Sequence, residues 1–275
     1  MPRNILVLLS EYGYWGEELL GPLETFDQNG YNVVFATPTG KRSRALPPSL
    51  DASYLDPPLQ RTVTSEDVAA RCRALDQSDR LDNALSLAEM VPDRPYFAVT
   101  NFAREIEKYY ADRDEAIDRI VSEYDTVLIV GGSGAIVDLG NNGRVHELVL
   151  GFHRAGKPVA AICYGVVSLV MARDWDDRKS LIWGKHLTGH CKEYDYKDGT
   201  GFIGTDFNMG PPPYSLEYMI RDAVGPDGQY HGRVGHETSV IVDYPFITGR
   251  SNHDSFLTGQ KIVEVLENGL TRYGW

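Results

Sequence analysis

The chain has 275 residues, a formal net charge of −12, 42% hydrophobic residues and 24% charged residues. This composition is that of an ordinary soluble globular protein, and the length allows one large domain or two small ones. The negative charge argues against binding to nucleic acid or to an anionic membrane surface. Three cysteines, Cys72, Cys163 and Cys191, are too few for a disulfide framework, so a reducing cytoplasm is expected.

The first predicted elements alternate between apolar strands and an amphipathic helix. Residues 4–10 (NILVLLS) and 31–37 (YNVVFAT) are short apolar runs that indicate buried strands. Between them, residues 17–29 have a helical pattern, which Gly30 closes as a C-cap. The first run is too short to be a signal peptide's core, and no stretch is long enough to span a bilayer.

Residues 41–111 interrupt this alternation. They begin with proline-rich turns (LPPSL and DPPL) and continue with polar helical stretches. Their apolar content is too low for a core of their own. We therefore expect a single domain over residues 1–275, with a lid-like insertion at about 41–111.

The alternation resumes in the second half of the chain. Residues 125–132 (DTVLIVGG) and 157–163 (KPVAAIC) indicate two strands, and residues 145–152 between them have the period of a half-buried helix. Two further strands and a final helix are predicted between residues 239 and 269. The pattern predicts an α/β fold, a flavodoxin-like three-layer sandwich with a mostly parallel sheet, whose ligands bind beyond the carboxyl ends of the strands.

Cys163 is the strongest candidate for chemistry. It stands directly between a predicted strand and a predicted helix, with the small residues Ala161 and Gly165 two positions before and after it. This is the pattern of a nucleophile elbow, a strained turn that displays a reactive side chain at the rim of the sheet. The following helix is expected to lower the pKa of the thiol. The alternative is a free cysteine that is simply buried.

Two other loops at the same predicted edge carry candidate residues. The segment GGSGA, from Gly131 to Ala135, ends a strand, and its backbone N–H groups can stabilise an oxyanion. Glu17 and Glu18 begin the first helix, where acids are usually exposed residues that complement the helix dipole. A carboxyl group beside a thiolate would instead be shifted toward its protonated form and could move a proton.

Four segments in this order resemble the ThiJ/PfpI superfamily, also called the parkinsonism-associated deglycase superfamily: GEELLGP, VLIVGGSGA, AAICYG and FITGRSN. This superfamily is related in fold to class I glutamine amidotransferases. The segments GKPVAAIC and GAIVDL, together with the insertion, resemble the branch that includes glyoxalase III and heat-inducible chaperones.

The resemblance implies a set of site residues. Cys163 would be the nucleophile, Glu18 the neighbouring acid, and the N–H groups of Gly132 and Tyr164 the oxyanion hole. In the glyoxalase III and chaperone branch a histidine follows the cysteine, but here that position is Tyr164. A neutral tyrosine is a poor base near pH 7, because its ordinary pKa is about 10. Ser133 also stands where that branch often has histidine.

Two histidines are candidates for the absent base. His190, in LTGHCKEYD, follows a predicted strand and is the first candidate for a catalytic histidine, and His253, in RSNHD, precedes the last helix and is the second. Either one could equally be a structural or surface histidine. His186 and His190 are four residues apart, but that spacing suits a metal site on a helix and this stretch looks extended. No metal and no cofactor is therefore predicted.

The aromatic loop EYGYWGEE is expected to form part of a small-molecule pocket. It places Tyr14 and Trp15 close to Glu18. Together with Ser133 and His253, they are the predicted substrate-binding residues. The same aromatic residues could instead pack under the insertion or against a second subunit, and the resemblance implies a homodimer.

These observations predict a cysteine-dependent enzyme that acts on a small electrophile. By resemblance the default reaction is a glyoxalase III-like conversion of a 2-oxoaldehyde into a hydroxy acid, in which Cys163 attacks and Glu18 relays a proton. The alternatives are isonitrile hydration or a specialised biosynthetic hydrolase or lyase reaction. A holdase chaperone or a redox-responsive protein without turnover is the alternative of a different class.

Overall fold

A computed structural model describes residues 2–195, 214–233 and 235–275. In these residues the strands are β1 (Asn4–Leu8), β2 (Asn32–Thr37), β3 (Leu55–Asp56), β4 (Arg61–Thr62), β5 (Leu85–Ser86), β6 (Thr126–Ile129), β7 (Val159–Ile162), β8 (His186–Leu187), β9 (Gln229–Tyr230), β10 (Val240–Asp243), β11 (Phe246–Gly249) and β12 (Arg272–Tyr273).

The α-helices of the same residues are α1 (Gly16–Gln28), α2 (Glu66–Gln77), α3 (Leu87–Met90), α4 (Phe102–Glu123), α5 (Gly134–Asp138), α6 (Gly143–Arg154), α7 (Val167–Met171), α8 (Leu216–Ala223) and α9 (Ser255–Asn268). Among the described residues, no helix is both long enough and apolar enough to cross a membrane.

One eight-stranded sheet organises the molecule, in the order β12-β10-β11-β7-β6-β1-β2-β5. Strand β10 runs antiparallel to both of its neighbours, and the other pairs in this sheet are parallel. Helix α1 packs against α9, while α6 packs against α4 and α7. The predicted α/β class, a flavodoxin-like sandwich with a mostly parallel sheet, is confirmed.

The central strands are buried on both faces, which explains their nearly continuous apolar sequences. Strands β6 and β7 have no exposed residue, and β1 has only its first residue partly exposed. The predicted apolar face of α6 also lies in the core, with Val145, Leu148 and Phe152 fully buried. Gly30 follows α1 with a φ of 67°, the left-handed conformation expected of a glycine at a helix end.

Residues 41–111 are joined closely to the sheet layers. Strand β5 pairs in parallel with β2 and forms the edge of the sheet, and α2 packs against α1. Helix α4 runs without a break across residue 111 and packs on α6. The segment therefore supplies an edge strand and the start of a layer helix, as well as the turns that cover the carboxyl edge of the sheet.

Candidate active site

The carboxyl ends of four parallel strands meet at one edge of the sheet. Strand β7 lies between β6 and β11, and β6 lies between β7 and β1. The loops after all four strands contribute residues to one pocket. The sequence pointed to three of these loops; the fourth, after β11, adds Ser251, Asn252 and His253.

Cys163 occupies the strained turn that the sequence predicted. Its φ is 54°, in the left-handed region that residues other than glycine rarely adopt. The turn also needs glycine two residues later, because a Cβ at Gly165 would lie 2.5 Å from the carbonyl oxygen of Ile129. A strained, non-glycine residue at the end of a buried strand is the geometry of a nucleophile elbow.

The expected lowering of the cysteine pKa is not found. The chain after β7 forms a 3-10 turn (Cys163–Val166) followed by the short helix α7, so no long helix begins at the cysteine. Burial, followed by the charge of Glu18, raises the pKa of the Cys163 thiol well above its ordinary value. The backbone N–H groups of Gly132 and Tyr164 oppose this shift. Desolvation therefore outweighs the local backbone dipoles, and the thiol needs a base.

Glu18 is a buried acid in contact with the cysteine, so it is not an exposed residue of the helix surface. Only 2% of Glu18 is exposed, and its carboxyl group forms a hydrogen bond with Cys163. Burial raises the pKa of Glu18 to about 8. Glu17 is also buried, and it accepts a hydrogen bond from Asn252 at 2.9 Å. At neutral pH, Glu18 thus holds a proton beside the sulfur.

Gly132 and Tyr164 direct backbone N–H groups at the sulfur, as the resemblance implied. Both form backbone hydrogen bonds with Cys163. Gly132 has a φ of 90°, and a Cβ there would lie 2.6 Å from the backbone nitrogen of Trp15. A glycine is therefore required where the two loops approach each other. The two donors are placed to stabilise an oxyanion on a carbon bonded to the sulfur.

His190 is the imidazole that the fold brings to the cysteine. Its Nδ1 lies 3.3 Å from Sγ of Cys163, although the two residues are 27 positions apart. Asp195 places Oδ1 3.1 Å from Nε2 of His190, within ion-pair distance but outside hydrogen-bond geometry. The second candidate, His253, lines the same pocket with an exposed side chain. The side chains of Cys163, His190 and Asp195 thus lie next to one another in the order thiol, imidazole and carboxylate.

The side chain of Tyr164 supports this arrangement from the position where a histidine was expected. Its hydroxyl donates a 2.7 Å hydrogen bond to Oδ1 of Asp195. Its ring stacks on His190 with a centroid separation of 3.9 Å. Sequence reasoning gave Tyr164 only a backbone role and missed Asp195, which no motif marks.

Cys163, Glu18 and His190 line a cavity of about 70 Å³, a volume that admits only a compact substrate. Its walls are formed by Trp15, Glu18, Leu46, Pro48, Asp56, Leu59, Val63, Gly132, Ser133, Cys163, Tyr164, His190, Tyr194, Ser251, Asn252 and His253. Five of these residues come from the 41–111 segment, which therefore covers the site. Trp15, Ser133 and His253 lie where substrate-binding residues were predicted.

Tyr14 lies outside this cavity, contrary to the expectation that it binds substrate. Its side chain is fully buried, and its hydroxyl donates a 3.3 Å hydrogen bond to Asp76 of α2. Its ring packs under residues 41–111, the alternative that the sequence left open. Trp15, the next residue, faces the pocket because successive extended residues point in opposite directions.

His186 and His190 do not share a ligand site. Nδ1 of His186 lies 2.8 Å from Nε2 of His231, and the ring of His186 stacks on Trp275. Within residues 2–195, 214–233 and 235–275, no group of three or more histidine, cysteine or acidic side chains has the arrangement of a metal site.

One family of known proteins is similar to this chain in sequence. A family model described as ThiJ/PfpI family-like matches residues 9–192, which include Glu18, Gly132, Cys163 and His190. A search of curated proteins finds no similar sequence.

Solved structures share the fold at low sequence identity. The Rapid Encystment Protein 24 kDa of Francisella tularensis aligns with a TM-score of 0.64 and 19% identity, over 96% of this chain and 99% of that chain. Glyoxalase III from Candida albicans aligns with a TM-score of 0.60 and 17% identity, over 97% and 98% of the two chains. DJ-1beta of Drosophila melanogaster aligns with a TM-score of 0.52 and 16% identity, over 97% and 91%.

Proposed function

Because this chain belongs to the ThiJ/PfpI-like family, we propose that it is a cysteine-dependent enzyme acting on a small electrophilic carbonyl compound. The reaction proposed first is a glyoxalase III-like conversion of a 2-oxoaldehyde into a 2-hydroxy acid. The observation that carries the proposal is the contact of Cys163 with both His190 and Glu18 inside a small cavity. One of the similar folds is itself a glyoxalase III.

The first step forms a bond between sulfur and carbon. His190 Nδ1 takes the thiol proton of Cys163 across 3.3 Å, and the thiolate adds to the aldehyde carbon. The π electrons of the carbonyl move to its oxygen, where the N–H groups of Gly132 and Tyr164 stabilise the negative charge. The imidazolium then returns the proton to that oxygen, which leaves a hemithioacetal on Cys163.

The second stage moves hydrogen between the two carbons and consumes one water. His190, neutral again, takes the C–H proton of the former aldehyde carbon, while protonated Glu18 donates a proton to the neighbouring carbonyl oxygen. The imidazolium of His190 protonates the neighbouring carbon, and the hydroxyl on the sulfur-bearing carbon gives its proton to the carboxylate of Glu18, which yields a thioester of the 2-hydroxy acid. Water attacks this thioester, the acid leaves, and the thiol of Cys163 is restored. The sum is one 2-oxoaldehyde plus one water to one hydroxy acid.

Isonitrile hydration is the alternative reaction for the same groups. It also requires a proton donor and a nucleophile at one carbon, and Glu18, with a pKa of about 8, keeps a proton beside Cys163 at neutral pH. The apolar side chains of Leu46, Leu59 and Val63 would suit an alkyl isonitrile.

The proposal is tested by a turnover screen with matched variants. Methylglyoxal, glyoxal and alkyl isonitriles are offered to the wild type, Cys163→Ala and Glu18→Gln, with product measured by chromatography. We expect turnover in the wild type, loss of turnover in both variants, and retention in Cys72→Ala, whose sulfur lies outside the pocket. Equal turnover in the wild type and Cys163→Ala would remove the mechanism. If only the isonitriles were turned over, isonitrile hydration would take the place of 2-oxoaldehyde conversion as the proposed reaction.

A further inference from the structure

Asp56 brings a carboxylate to the pocket wall that the proposed chemistry does not use. It lies at the end of β3, in the segment that covers the carboxyl edge of the sheet, and lines the cavity that holds Cys163. Asp56 is only 8% exposed. Buried carboxylates are costly unless their oxygens are paired, so this residue requires an explanation.

The turn that contains Asp56 provides a hydrogen-bond partner for only one of its two carboxylate oxygens. Asp56 closes the turn between β3 and β4: its Oδ1 accepts a 2.9 Å hydrogen bond from the backbone N–H of Leu59, and its carbonyl oxygen accepts one from Gln60. Among the described residues, no donor contacts Oδ2 of Asp56. The turn uses Oδ1 alone, so Oδ2 is available to accept a hydrogen bond from a group inside the cavity.

Polar and charged groups around Asp56 oppose the effect of its burial on the pKa. Burial raises the pKa of Asp56, and the backbone N–H of Leu59, followed by His190 and Arg61, opposes this shift without cancelling it. Arg61 is exposed, so solvent screens much of its charge. Glu18 holds a proton at neutral pH and adds little negative charge. Asp56 thus brings a carboxyl group of the covering segment to the wall of the cavity that holds Cys163.

We propose that Asp56 selects the substrate by charge. The substrate is a small electrophilic carbonyl compound whose distal group is a hydrogen-bond donor, a hydroxyl or a protonated amine, and which carries no carboxylate or phosphate. Oδ2 accepts a hydrogen bond from that donor, while the reactive carbon lies at Sγ of Cys163. A bound anion would instead leave two negative charges close together in a cavity of about 70 Å³. This inference rests on Cys163 being the reactive residue of the proposed function.

Alkylation of Cys163 measures this selectivity without any turnover. Second-order rate constants are determined with three small reagents of different charge: iodoacetate, iodoacetamide and 2-bromoethylammonium. In each case the sulfur forms a bond to a CH₂ carbon and halide leaves. Peptide mass spectrometry separates Cys163 from the buried Cys72 and Cys191. Each rate constant is divided by that of glutathione, which removes the intrinsic reactivity of the reagent.

The wild type is expected to react fastest with the cation and slowest with the anion. In Asp56→Asn, whose amide oxygen can still accept the Leu59 N–H, the iodoacetate to iodoacetamide ratio should rise on the order of tenfold. Asp51→Asn removes the same charge from an exposed position in the same segment and should leave the ratio unchanged.

Two results would overturn the proposal. One is a wild-type rate that does not decrease from the cationic to the neutral to the anionic reagent. This result is obtained with the wild type alone, so it does not depend on whether a variant folds. The other is the same ratio in Asp56→Asn as in the wild type. If no reagent modified Cys163, the proposed function would fail as well. If alkylation depended on charge but no substrate were turned over, only the proposed reaction would be contradicted, and the charge selection by Asp56 would stand.

Discussion

The sulfur of Cys163 and Nδ1 of His190 are 3.3 Å apart, and they belong to loops that follow different strands. Cys163 ends β7 of the main sheet, whereas His190 follows β8 of a separate two-stranded sheet. The contact supplies a base to a thiol whose pKa burial raises well above its ordinary value. In the proposed function, an imidazole from outside the elbow takes the place of the histidine that follows the cysteine in the glyoxalase III and chaperone branch.

Tyr164 should contribute to catalysis through Asp195. Tyr164→Phe keeps the ring that stacks on His190 and removes the hydroxyl that donates to Asp195 at 2.7 Å. We expect turnover to fall about tenfold, since a hydrogen bond to a charged group contributes about 1.5–3 kcal/mol. Tyr12→Phe, at an exposed position, is the control.

A double-mutant cycle with Asp195→Asn tests whether the two residues act as a unit. If Tyr164 acts by holding Asp195, the double variant should lose little more turnover than Asp195→Asn alone. Fully additive losses would show that the hydroxyl acts independently of Asp195.

Gly132 should tolerate no side chain. Gly132→Ala would place a Cβ 2.6 Å from the nitrogen of Trp15 at a φ of 90°, which displaces an N–H group from the sulfur. Gly156→Ala is the matched control, because Gly156 has a φ of 66° and no atom within 4 Å of the added Cβ. The control should lose about 1 kcal/mol of stability and no activity. Gly132→Ala should lose more stability and at least tenfold in turnover; equal effects in the two variants would contradict the assignment.

The buried proton on Glu18 should make stability fall with pH. The folded pKa is about 8 against an ordinary value of 4.5, so the folded state retains a proton that the unfolded state releases in this window. The free energy of unfolding therefore decreases as pH rises from 4.5 to about 8. Glu18→Gln removes this contribution, which is on the order of a few kcal/mol.

Thermal unfolding between about pH 5 and pH 8 is the measurement for Glu18. The melting temperature of the wild type should fall more steeply with pH than that of Glu18→Gln. Glu89→Gln, exposed on α3, should follow the wild type. Parallel curves for the wild type and Glu18→Gln would show that Glu18 is ionised in the folded protein.

Local patterns were sufficient for the fold and for the elbow. The apolar strands β1, β6 and β7 are recognisable because both of their faces are buried. Small residues on both sides of Cys163 are a direct consequence of its strained turn. Glu18 was placed beside the cysteine by the resemblance, because its position in the chain alone favoured an exposed residue of the helix surface.

Long-range packing decided the rest of the site. The choice between His190 and His253 depends on the paths of two loops, which no local pattern records. Asp195 and Asp56 lie in segments without a motif, and only the folded structure brings Asp195 to Tyr164 and Asp56 to the pocket. Helix dipole reasoning gave the wrong direction for the pKa of Cys163, because it neglected burial and the charge of Glu18.

The activation of Cys163 by His190 is tested most directly by the rate of alkylation with iodoacetamide as a function of pH. In the wild type, His190 accepts the thiol proton, so Cys163 should react at about pH 7. In His190→Gln the raised thiol pKa leaves little thiolate, and the rate should fall at least tenfold. His236→Asn, at an exposed histidine, is the control. Identical pH profiles for the wild type and His190→Gln would contradict the account.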